Sequence, residues 1–303
     1  MTARLAAPAE IARAKLNLCL HVVGQRPDGY HRLESYVVFP EIGDRIEAES
    51  ARGLSLSVDG PFGLSLGSGP DNLALRAAIA LRDWAATAGG RGPETLGAAL
   101  HLSKILPVAS GIGGGSADAA AALRALDRLW GLAAPKAELR RLALSIGADA
   151  PVCLLSRPTL MRGVGEELLA APAPPDCAVV LVNPGQAVAT PEVFAALAEK
   201  RNAPTPPLPD RFAALDALVD WLSETRNDLQ GPAERICPAV REAIAALEAD
   251  GACRFARMSG SGATCFGLFA TRAEAARAGE AIRAVRPTWW VAAAALGGAA
   301  PCP

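Results

Sequence analysis

The sequence predicts a two-lobed α+β protein. Its 303 residues are enough for two compact domains. Short alternating segments near the start of the chain are typical of antiparallel strands, while the last third has the order strand, helix, strand, strand, helix, strand. Pro172, Pro174 and Pro175 interrupt both patterns and mark a boundary between residues 1–172 and 173–303.

In the N-terminal lobe, strict alternation predicts one half-buried strand over AKLNLCLHVV, which begins at Ala14. Lys15 and Asn17 share a face of that strand. Apolar residues at helical spacing from Ala119 to Trp130 predict an amphipathic helix. The other predicted elements are strands near 35–39, 45–49, 96–104 and 152–155 and helices over 71–85 and 136–146.

The C-terminal lobe is predicted to have the ferredoxin-like order βαββαβ, with additional helices inserted. Its predicted strands are 178–182, 255–258, 264–269 and 289–293, and its helices start near 192 and cover 238–249 and 272–285.

Composition excludes several classes of protein. The formal net charge is −1, so the chain has no excess of basic residues to neutralise the phosphates of a nucleic acid. The longest weakly polar stretch is too short to cross a bilayer as a helix, and the first residues do not form a secretory signal. We therefore expect a cytoplasmic protein with neither a nucleic-acid nor a membrane partner.

The cysteines do not form a recognisable disulfide or zinc pattern, because they are widely spaced and include no CxxC pair. Most lie in apolar segments, where a reduced thiol behaves as a small apolar group. The seven are Cys19, Cys153, Cys177, Cys237, Cys253, Cys265 and Cys302.

The segment PVASGIGGGSADAA, which starts at Pro107, has the composition of a phosphate-binding loop. Its glycines leave backbone N–H groups accessible, and a predicted helix begins directly after them. The amino terminus of a helix carries roughly half a positive charge, which favours a nucleotide triphosphate. Ser116 follows the last glycine, where a P-loop would require lysine and a dinucleotide fingerprint would require glycine. A tight strand-to-helix turn is the alternative.

A second glycine-rich segment, MSGSGATCFGLF, starts at Met258 between two predicted strands. Taken alone it reads as a hairpin loop. Two such segments in one chain suggest a shared phosphate cradle.

Four further residues have side chains suited to catalysis or base recognition. Asp149 follows a helix-ending glycine and could accept a hydroxyl proton, while Lys15 lies in an apolar strand and needs an anionic partner. Tyr30 and His31 follow a turn and could stack on a nucleobase and hydrogen-bond to it. The alternatives are a loop cap for Asp149 and a solvated aromatic rim for Tyr30 and His31.

Both glycine segments resemble the motifs of the galactokinase, homoserine kinase, mevalonate kinase and phosphomevalonate kinase (GHMP) superfamily. The opening AKLNLCLHVVGQRPDGYHRLES, the loop GADAPV and the segment NPGQAVATPEVF are similar to one branch of it, the kinases of a cytidine diphosphate conjugate of methylerythritol. This resemblance implies the two-lobed GHMP kinase fold. It also implies transfer of the γ-phosphoryl group of ATP, with Mg²⁺, to the 2-hydroxyl of methylerythritol in non-mevalonate isoprenoid synthesis.

The resemblance also implies roles for individual residues. Lys15 and Asp149 match the catalytic pair, and Ser116 is a candidate Mg²⁺ contact. Asn72 and Lys104 match positions near the adenine. The phosphate loop corresponds to Pro107, Val108, Ala109, Ser110, Gly111, Ile112, Gly113, Gly114, Gly115, Ser116 and Ala117. The substrate-side positions are Asn17, Tyr30, His31, Thr190, Pro191, Phe194, Gly260, Ser261 and Gly262.

Two other readings remain open at this point. Another kinase of the superfamily, acting on homoserine or mevalonate, would keep both glycine motifs but would have no use for Tyr30, His31 and Phe194 around a base. A catalytically silent relative that binds a protein partner would be expected to lack Asp149 or Lys15, and both are present. The sequence allows a monomer or a homodimer.

Overall fold

A computed structural model describes residues 9–88 and 90–297. Within these residues the chain forms two compact units. The first unit contains 9–14, 43–108 and 113–155, and the second contains 15–42, 109–112 and 156–297. The segment 15–42 belongs to the same unit as 156–297, because residues 33–37 pair with residues 159–163. The division into two lobes at residue 172 stays a prediction. Cys302 lies outside the described residues.

The strands of the described residues are, in chain order, β1 (Glu10–Arg13), β2 (Leu16–Asn17), β3 (His21–Gln25), β4 (His31–Val38), β5 (Gly43–Ser50), β6 (Leu54–Asp59), β7 (Ala98–Ser103), β8 (Thr159–Gly163), β9 (Glu167–Ala170), β10 (Cys177–Asn183), β11 (Phe255–Met258), β12 (Cys265–Phe269) and β13 (Trp290–Leu296). The helices are α1 (Leu73–Ala88), α2 (Gly114–Trp130), α3 (Lys136–Ile146), α4 (Ala150–Leu155), α5 (Thr190–Ala195), α6 (Leu215–Ser223), α7 (Gln230–Ile236), α8 (Ala239–Glu248) and α9 (Arg272–Val285).

The first unit contains a four-stranded sheet in the order β1-β5-β7-β6. Helices α1 and α2 pack on this sheet, and α3 and α4 pack on α2 and on each other. Helix α2 packs against α1, α4, β1 and β5. Four consecutive alanines, Ala119 to Ala122, are fully buried in it, and their small side chains permit this close packing on several sides. The amphipathic helix predicted after the glycine-rich loop is therefore confirmed, as is helix α3.

The strand predicted at 152–155 is wrong, because these residues belong to helix α4. The carbonyl of Asp149 accepts the first helical hydrogen bond, from the Cys153 N–H at 3.1 Å. Pro151 stands in the first turn, where its fixed φ favours the helix and its missing N–H costs nothing. The short apolar segment was compatible with a strand or a helix. The hydrogen bond to the Asp149 carbonyl and the position of Pro151 favour the helix.

The second unit contains two sheets. One has five strands, in the order β2-β4-β8-β9 with β3 also paired to β4, and the other has four antiparallel strands in the order β11-β12-β10-β13. In the order of the chain, the four-stranded sheet reads 2-3-1-4, which is the ferredoxin-like arrangement and confirms the predicted βαββαβ order. All seven residues of its strand β10 are buried, which explains why the sequence is apolar from Cys177 to Val182.

The single half-buried strand predicted from Ala14 is also wrong. Strand β2 ends at Asn17 and β3 begins at His21, and the residues from Ala14 to Val22 are buried on both faces. The intervening backbone makes hydrogen bonds in two directions: Leu18 N–H donates to Tyr36, and Leu20 N–H donates to Arg226, each at 2.9 Å. Alternating side chains indicated an extended chain, but the partners on its two sides lie far away in the sequence.

Six of the cysteines are described, and they are free thiols, five of them buried and Cys253 half-buried. This agrees with their predicted role as small apolar residues. Burial raises the pKa of Cys19 to about 11 and that of Cys177 to about 12. In the part of the chain that the structure describes, no helix combines the length and the apolar character that a bilayer crossing requires.

The two-sided burial of β10 leads to a first prediction. Leu181→Ala should lower the free energy of unfolding by about 2–5 kcal/mol, because the fully buried side chain would leave a cavity that its neighbours fill only in part. Leu169, on edge strand β9, is 44% exposed, and Leu169→Ala should cost less than about 1 kcal/mol. Urea titrations of both variants test this, and equal losses would contradict it.

Candidate functional site

The two glycine-rich segments are in contact within the second unit. A Cβ added to Gly111 would lie 2.5 Å from the Gly262 carbonyl oxygen, and one added to Gly260 would lie 2.7 Å from the Gly111 carbonyl oxygen. All three glycines have positive φ values, which side-chain-bearing residues rarely adopt. Thr264 N–H donates to the Ser110 carbonyl at 3.1 Å and completes the contact. Glycine is therefore required here by both conformation and space.

Asn17 lies beside these loops and is 3% exposed. Its N–H donates to the Ser259 hydroxyl at 3.0 Å, and its side-chain Nδ2 donates to the Ser35 hydroxyl at 2.7 Å. The side-chain Oδ1 is buried but makes no hydrogen bond to any described residue, and it lies 3.3 Å from the Cβ position of Gly260. This oxygen is an acceptor without a donor next to the glycine loop, an arrangement that is uncommon for a buried polar atom.

The loop that holds the second glycine segment is fixed by polar side chains. Asn227 Nδ2 donates to the carbonyls of Met258 and Gly260, at 2.8 and 2.9 Å. The hydroxyls of Thr190 and Ser261 lie 2.8 Å apart and share a hydrogen bond. Thr190 begins helix α5, with Pro191 next in the chain, so the start of this helix is tied to the glycine loop.

Three aromatic residues expected around a base lie in the second unit. The rings of His31 and Phe194 are stacked, with centroids 4.8 Å apart, while Tyr30 is 66% exposed. His31 Nε2 is buried without a hydrogen bond to a described residue. Burial, together with the charge of Lys200, lowers the pKa of His31, so the neutral imidazole is favoured. A neutral ring offers one nitrogen as donor and the other as acceptor.

Lys15 is 5% exposed and precedes strand β2. Its backbone N–H donates to the Ile112 carbonyl at 2.9 Å, which joins the start of the strand to the glycine-rich loop in the second unit. A lysine buried to this degree is uncommon.

In the first unit, helix α2 begins with the remaining glycines of the loop. Gly113 is the N-cap and has a left-handed φ of 64°. Added Cβ atoms at Gly114 and Gly115 would lie 3.1 Å from Lys104 Nζ and 3.2 Å from Leu73 Cδ1. Ser116 is half-buried, so this first turn presents a hydroxyl together with helix N–H groups.

Two other predicted residues lie at helix starts in the same unit. Asp149 is half-buried at the N-cap position of α4. Asn72 precedes α1: its Oδ1 accepts from the Ala74 N–H at 3.0 Å and its Nδ2 donates to the Gly67 carbonyl at 2.9 Å. The side chain of Asn72 thus caps a helix, and its expected position near an adenine stays a prediction.

Lys104 is 1% exposed, and its ammonium group lies between two buried carboxylates. Its Nζ is 2.5 Å from Asp44 Oδ2 and 2.8 Å from Asp118 Oδ2. Burial alone would lower the pKa of Lys104, but Asp118 and Asp44 outweigh that effect and raise it. Burial raises the pKa of Asp118 to about 7, against the lowering effect of Lys104. This ammonium group is therefore held by carboxylates inside the first unit.

Several residues of this arrangement were not predicted from the sequence, namely Asp44, Asp118, Ser35 and Asn227. One signal was available, because Asp118 is an acidic residue in a run of alanines on a helix that was predicted to be largely buried. The other three have ordinary polar side chains that bind residues between 16 and 62 positions away along the chain, and Asn227 Oδ1 also accepts from the nearby Leu229 N–H.

Two family descriptions match the chain. The GHMP kinases N terminal domain covers residues 72–157, and the GHMP kinases C terminal domain covers residues 194–287. Homoserine kinase from Cytophaga hutchinsonii, which is 16% identical, shares the fold with a TM-score of 0.67 over 98% of this chain and 96% of that one. The fold and the paired glycine loops are those of a GHMP kinase, a small-molecule kinase.

Similarity to individual enzymes is more specific. The chain is 52% identical to 4-diphosphocytidyl-2-C-methyl-D-erythritol kinase of Cereibacter sphaeroides, over 95% of this chain and 98% of the relative, and 53% identical to that of Paracoccus denitrificans, over 95% and 96%. A crystal structure of 4-(cytidine 5'-diphospho)-2C-methyl-D-erythritol kinase matches with a TM-score of 0.77 and 35% identity, over 96% of this chain and all of that one. The chain belongs to the family of 4-diphosphocytidyl-2-C-methyl-D-erythritol kinases, the branch that its motifs indicated.

The raised pKa of Asp118 leads to a second prediction. A carboxyl whose pKa rises from 3.8 to about 7 on folding stabilises the fold at low pH, and that contribution is lost as the pH rises through this interval. Asp118→Asn cannot titrate. From about pH 5 to pH 7, the free energy of unfolding of the wild type should fall relative to this variant by about 1–3 kcal/mol.

Urea titrations of both proteins at several pH values measure this difference. Asp127→Asn, a substitution at a half-buried aspartate of the same helix, is the control for general effects of pH. A difference between wild type and Asp118→Asn that stays constant over this range would refute the assigned titration.

Proposed function

We propose that this enzyme transfers the γ-phosphoryl group of ATP to the 2-hydroxyl of 4-diphosphocytidyl-2-C-methyl-D-erythritol. Identity of about half the residues along nearly the whole length of named kinases of this compound carries the proposal. The geometry of each unit supplies suitable groups for the parts of this reaction. An assay that offers this compound, homoserine and mevalonate separately with ATP tests it, and turnover of either alternative in preference to the cytidyl compound would overturn it.

The proposed base-binding residues are Tyr30, His31 and Phe194. An aromatic face stabilises a nucleobase by stacking, and the orphaned His31 Nε2 can make a hydrogen bond to an edge of the base. The exposed ring of Tyr30 is available as a stacking surface. Recognition of a cytosine is the use that best fits these three side chains.

A cavity of about 460 Å³ lies on the segments that carry these aromatic residues. It is lined by Gln25, Arg26, Pro27, Ala198, Glu199, Lys200 and Arg201. Arg26 is paired with Asp28 at 2.7 Å, so three basic side chains meet two acidic ones, and the remaining charge of +1 favours an anion. We assign this cavity to the anionic diphosphate of the substrate.

The methylerythritol portion would meet Asn17 and the segment Gly260–Gly262. The buried Oδ1 of Asn17 is an acceptor that a substrate hydroxyl can satisfy. For ATP, the glycine-rich loop from Pro107 to Ala117 supplies backbone N–H groups, and the start of α2 favours negative charge.

Phosphoryl transfer passes through a loose transition state, so positioning and stabilisation of charge matter more than full deprotonation of the alcohol. We assign Asp149 to orient the acceptor hydroxyl and to accept its proton as the new O–P bond forms. The bond between the γ-phosphorus and the bridging oxygen breaks in the same transfer, and ADP leaves. We assign the ammonium group of Lys15 to stabilise negative charge on the reacting oxygens.

We expect Mg²⁺ to be bound by the nucleotide phosphates together with a protein oxygen. Among residues 9–88 and 90–297, no group of three or more histidine, cysteine, aspartate or glutamate side chains could hold a metal ion. The Ser116 hydroxyl is the protein oxygen we assign to it, since Mg²⁺ keeps several waters and binds substrate phosphates. When bound, the ion would neutralise phosphate charge.

The assignment of Asp149 gives a third prediction. Asp149→Asn should lower kcat by about 100-fold or more, because the amide cannot accept the hydroxyl proton, and should leave the KM for ATP nearly unchanged. Asp127→Asn changes another half-buried aspartate of the same unit and should retain its kcat. Steady-state kinetics measure both, and a normal turnover of Asp149→Asn would rule out its role as the base.

The assignment of Tyr30 gives a fourth prediction. Tyr30→Ala should raise the KM for the cytidyl substrate by about fivefold or more through lost stacking, without raising the KM for ATP. Tyr30→Phe keeps the aromatic face and should raise it less. If Tyr30→Ala changed both KM values equally, Tyr30 would not belong to the acceptor site.

A further inference from the structure

Three buried charged residues connect the two ends of the glycine-rich loop in the first unit. Asp44 stands in β5, Lys104 directly follows β7, and Asp118 lies in the second turn of α2. All three are at most 1% exposed. The loop that joins β7 to α2 contains the residues proposed to bind the triphosphate.

Asp44 holds the entry to this loop. Its Oδ1 accepts hydrogen bonds from the backbone N–H groups of Ile105 and Leu106, at 2.6 and 2.8 Å. Its Oδ2 accepts from Lys104 Nζ at 2.5 Å. One carboxylate therefore fixes both the backbone just before the loop and the ammonium group beside it.

Lys104 carries this connection to the exit of the loop. Its Nζ donates to Asp118 Oδ2 at 2.8 Å and lies 3.1 Å from the Cβ position of Gly114. Gly114 and Asp118 are four residues apart on one face of α2, so the ammonium group contacts the first turn of the helix and the turn that follows it. The Lys104 ammonium group is therefore bonded, through Asp44 and Asp118, to the backbone before the loop and to the helix after it.

We infer that Lys104, with Asp44 and Asp118, is a positioning residue that sets the spacing between the two ends of the phosphate loop. The inference rests on the proposed binding of ATP by this loop. Backbone N–H groups stabilise a phosphate only where they are held in place, and displacement by about 1 Å is enough to weaken such a site severely. Lys104 would therefore act on the nucleotide through the backbone, and its buried ammonium group would not touch the adenine.

The test replaces the carboxylate on the helix. Asp118→Leu keeps a side chain of similar shape and leaves Lys104 paired with Asp44, but it removes the link to α2. The dissociation constant of a nonhydrolysable ATP analogue with Mg²⁺, measured by calorimetry on the full chain, should rise about tenfold. The KM for the cytidyl substrate should stay within about twofold of the wild type.

A conservative variant separates positioning from charge. Asp118→Asn keeps an oxygen that can accept from Lys104 Nζ, and its dissociation constant should stay within about threefold of the wild type. If the lysine touched the nucleotide directly, removal of the carboxylate would instead strengthen binding in both variants. We therefore expect Asp118→Leu to weaken binding of the ATP analogue and Asp118→Asn to leave it nearly unchanged.

Arg124 supplies the matched control. It lies on the same helix, about 15 Å along the axis from Gly114, and makes an ion pair with Glu10 at 2.8 Å. Arg124→Met should lower the thermal midpoint but leave the dissociation constant within about twofold. If Arg124→Met and Asp118→Leu had the same thermal midpoint and lost the same affinity for the analogue, the effect of Asp118→Leu would reflect general stability. That result would overturn the inference.

Should Asp118→Leu fail to fold, the triple variant Asp44→Asn, Lys104→Met and Asp118→Leu tests the same connection. It leaves no buried charge at these three positions, and an amide at position 44 can still accept from the N–H groups of Ile105 and Leu106. It should also weaken binding about tenfold, and affinity within about twofold of the wild type in a folded variant would overturn the inference. Wild-type protein that binds the analogue but does not phosphorylate the cytidyl compound would refute the proposed acceptor and leave this test intact.

Discussion

Two glycine-rich segments meet at Gly111 and Gly262 more closely than side-chain-bearing residues could. The Cβ of an alanine at 111 would lie 2.5 Å from the carbonyl oxygen of Gly262. The positions of Asn17 and Ser259 depend on this contact, because Ser259 belongs to one of the loops and binds the N–H of Asn17. The arrangement of the second unit around the proposed acceptor therefore follows from the absence of side chains at these glycines.

Buried charges maintain the geometry of each unit by different means. Lys104 is held by the carboxylates of Asp44 and Asp118, whereas Arg257 donates to backbone carbonyls and to the Thr225 hydroxyl. Burial lowers the pKa of Arg257 to about 10, so it still carries its charge at neutral pH. Since removing charges from water offsets much of their attraction, such groups contribute less to stability than to a defined arrangement. The Lys104 cluster adjoins the phosphate loop. Arg257 adjoins the segment between β2 and β3, where it donates to the Leu18 carbonyl.

Most of the elements followed from the sequence because their patterns are local. Helix α9 begins after Thr271, whose capping box with Glu274 fixes its first turn, and the structure matches its predicted bounds. Prediction failed at 14–23 and at 152–155. In both segments, apolar residues were consistent with a strand, and the outcome depended on distant hydrogen-bond partners or on a single capped turn.

The sequence by itself determined the fold class, the family and the residue types of the candidate site, because glycine loops, turn residues and alternation act over a few positions. Only the tertiary structure decided that Lys104 faces two buried carboxylates and that Asn17 keeps an unsatisfied oxygen beside Gly260. These arrangements join residues from 14 to 243 positions apart. Local sequence patterns do not predict such partners, because burial and hydrogen bonding are determined only when the elements pack together.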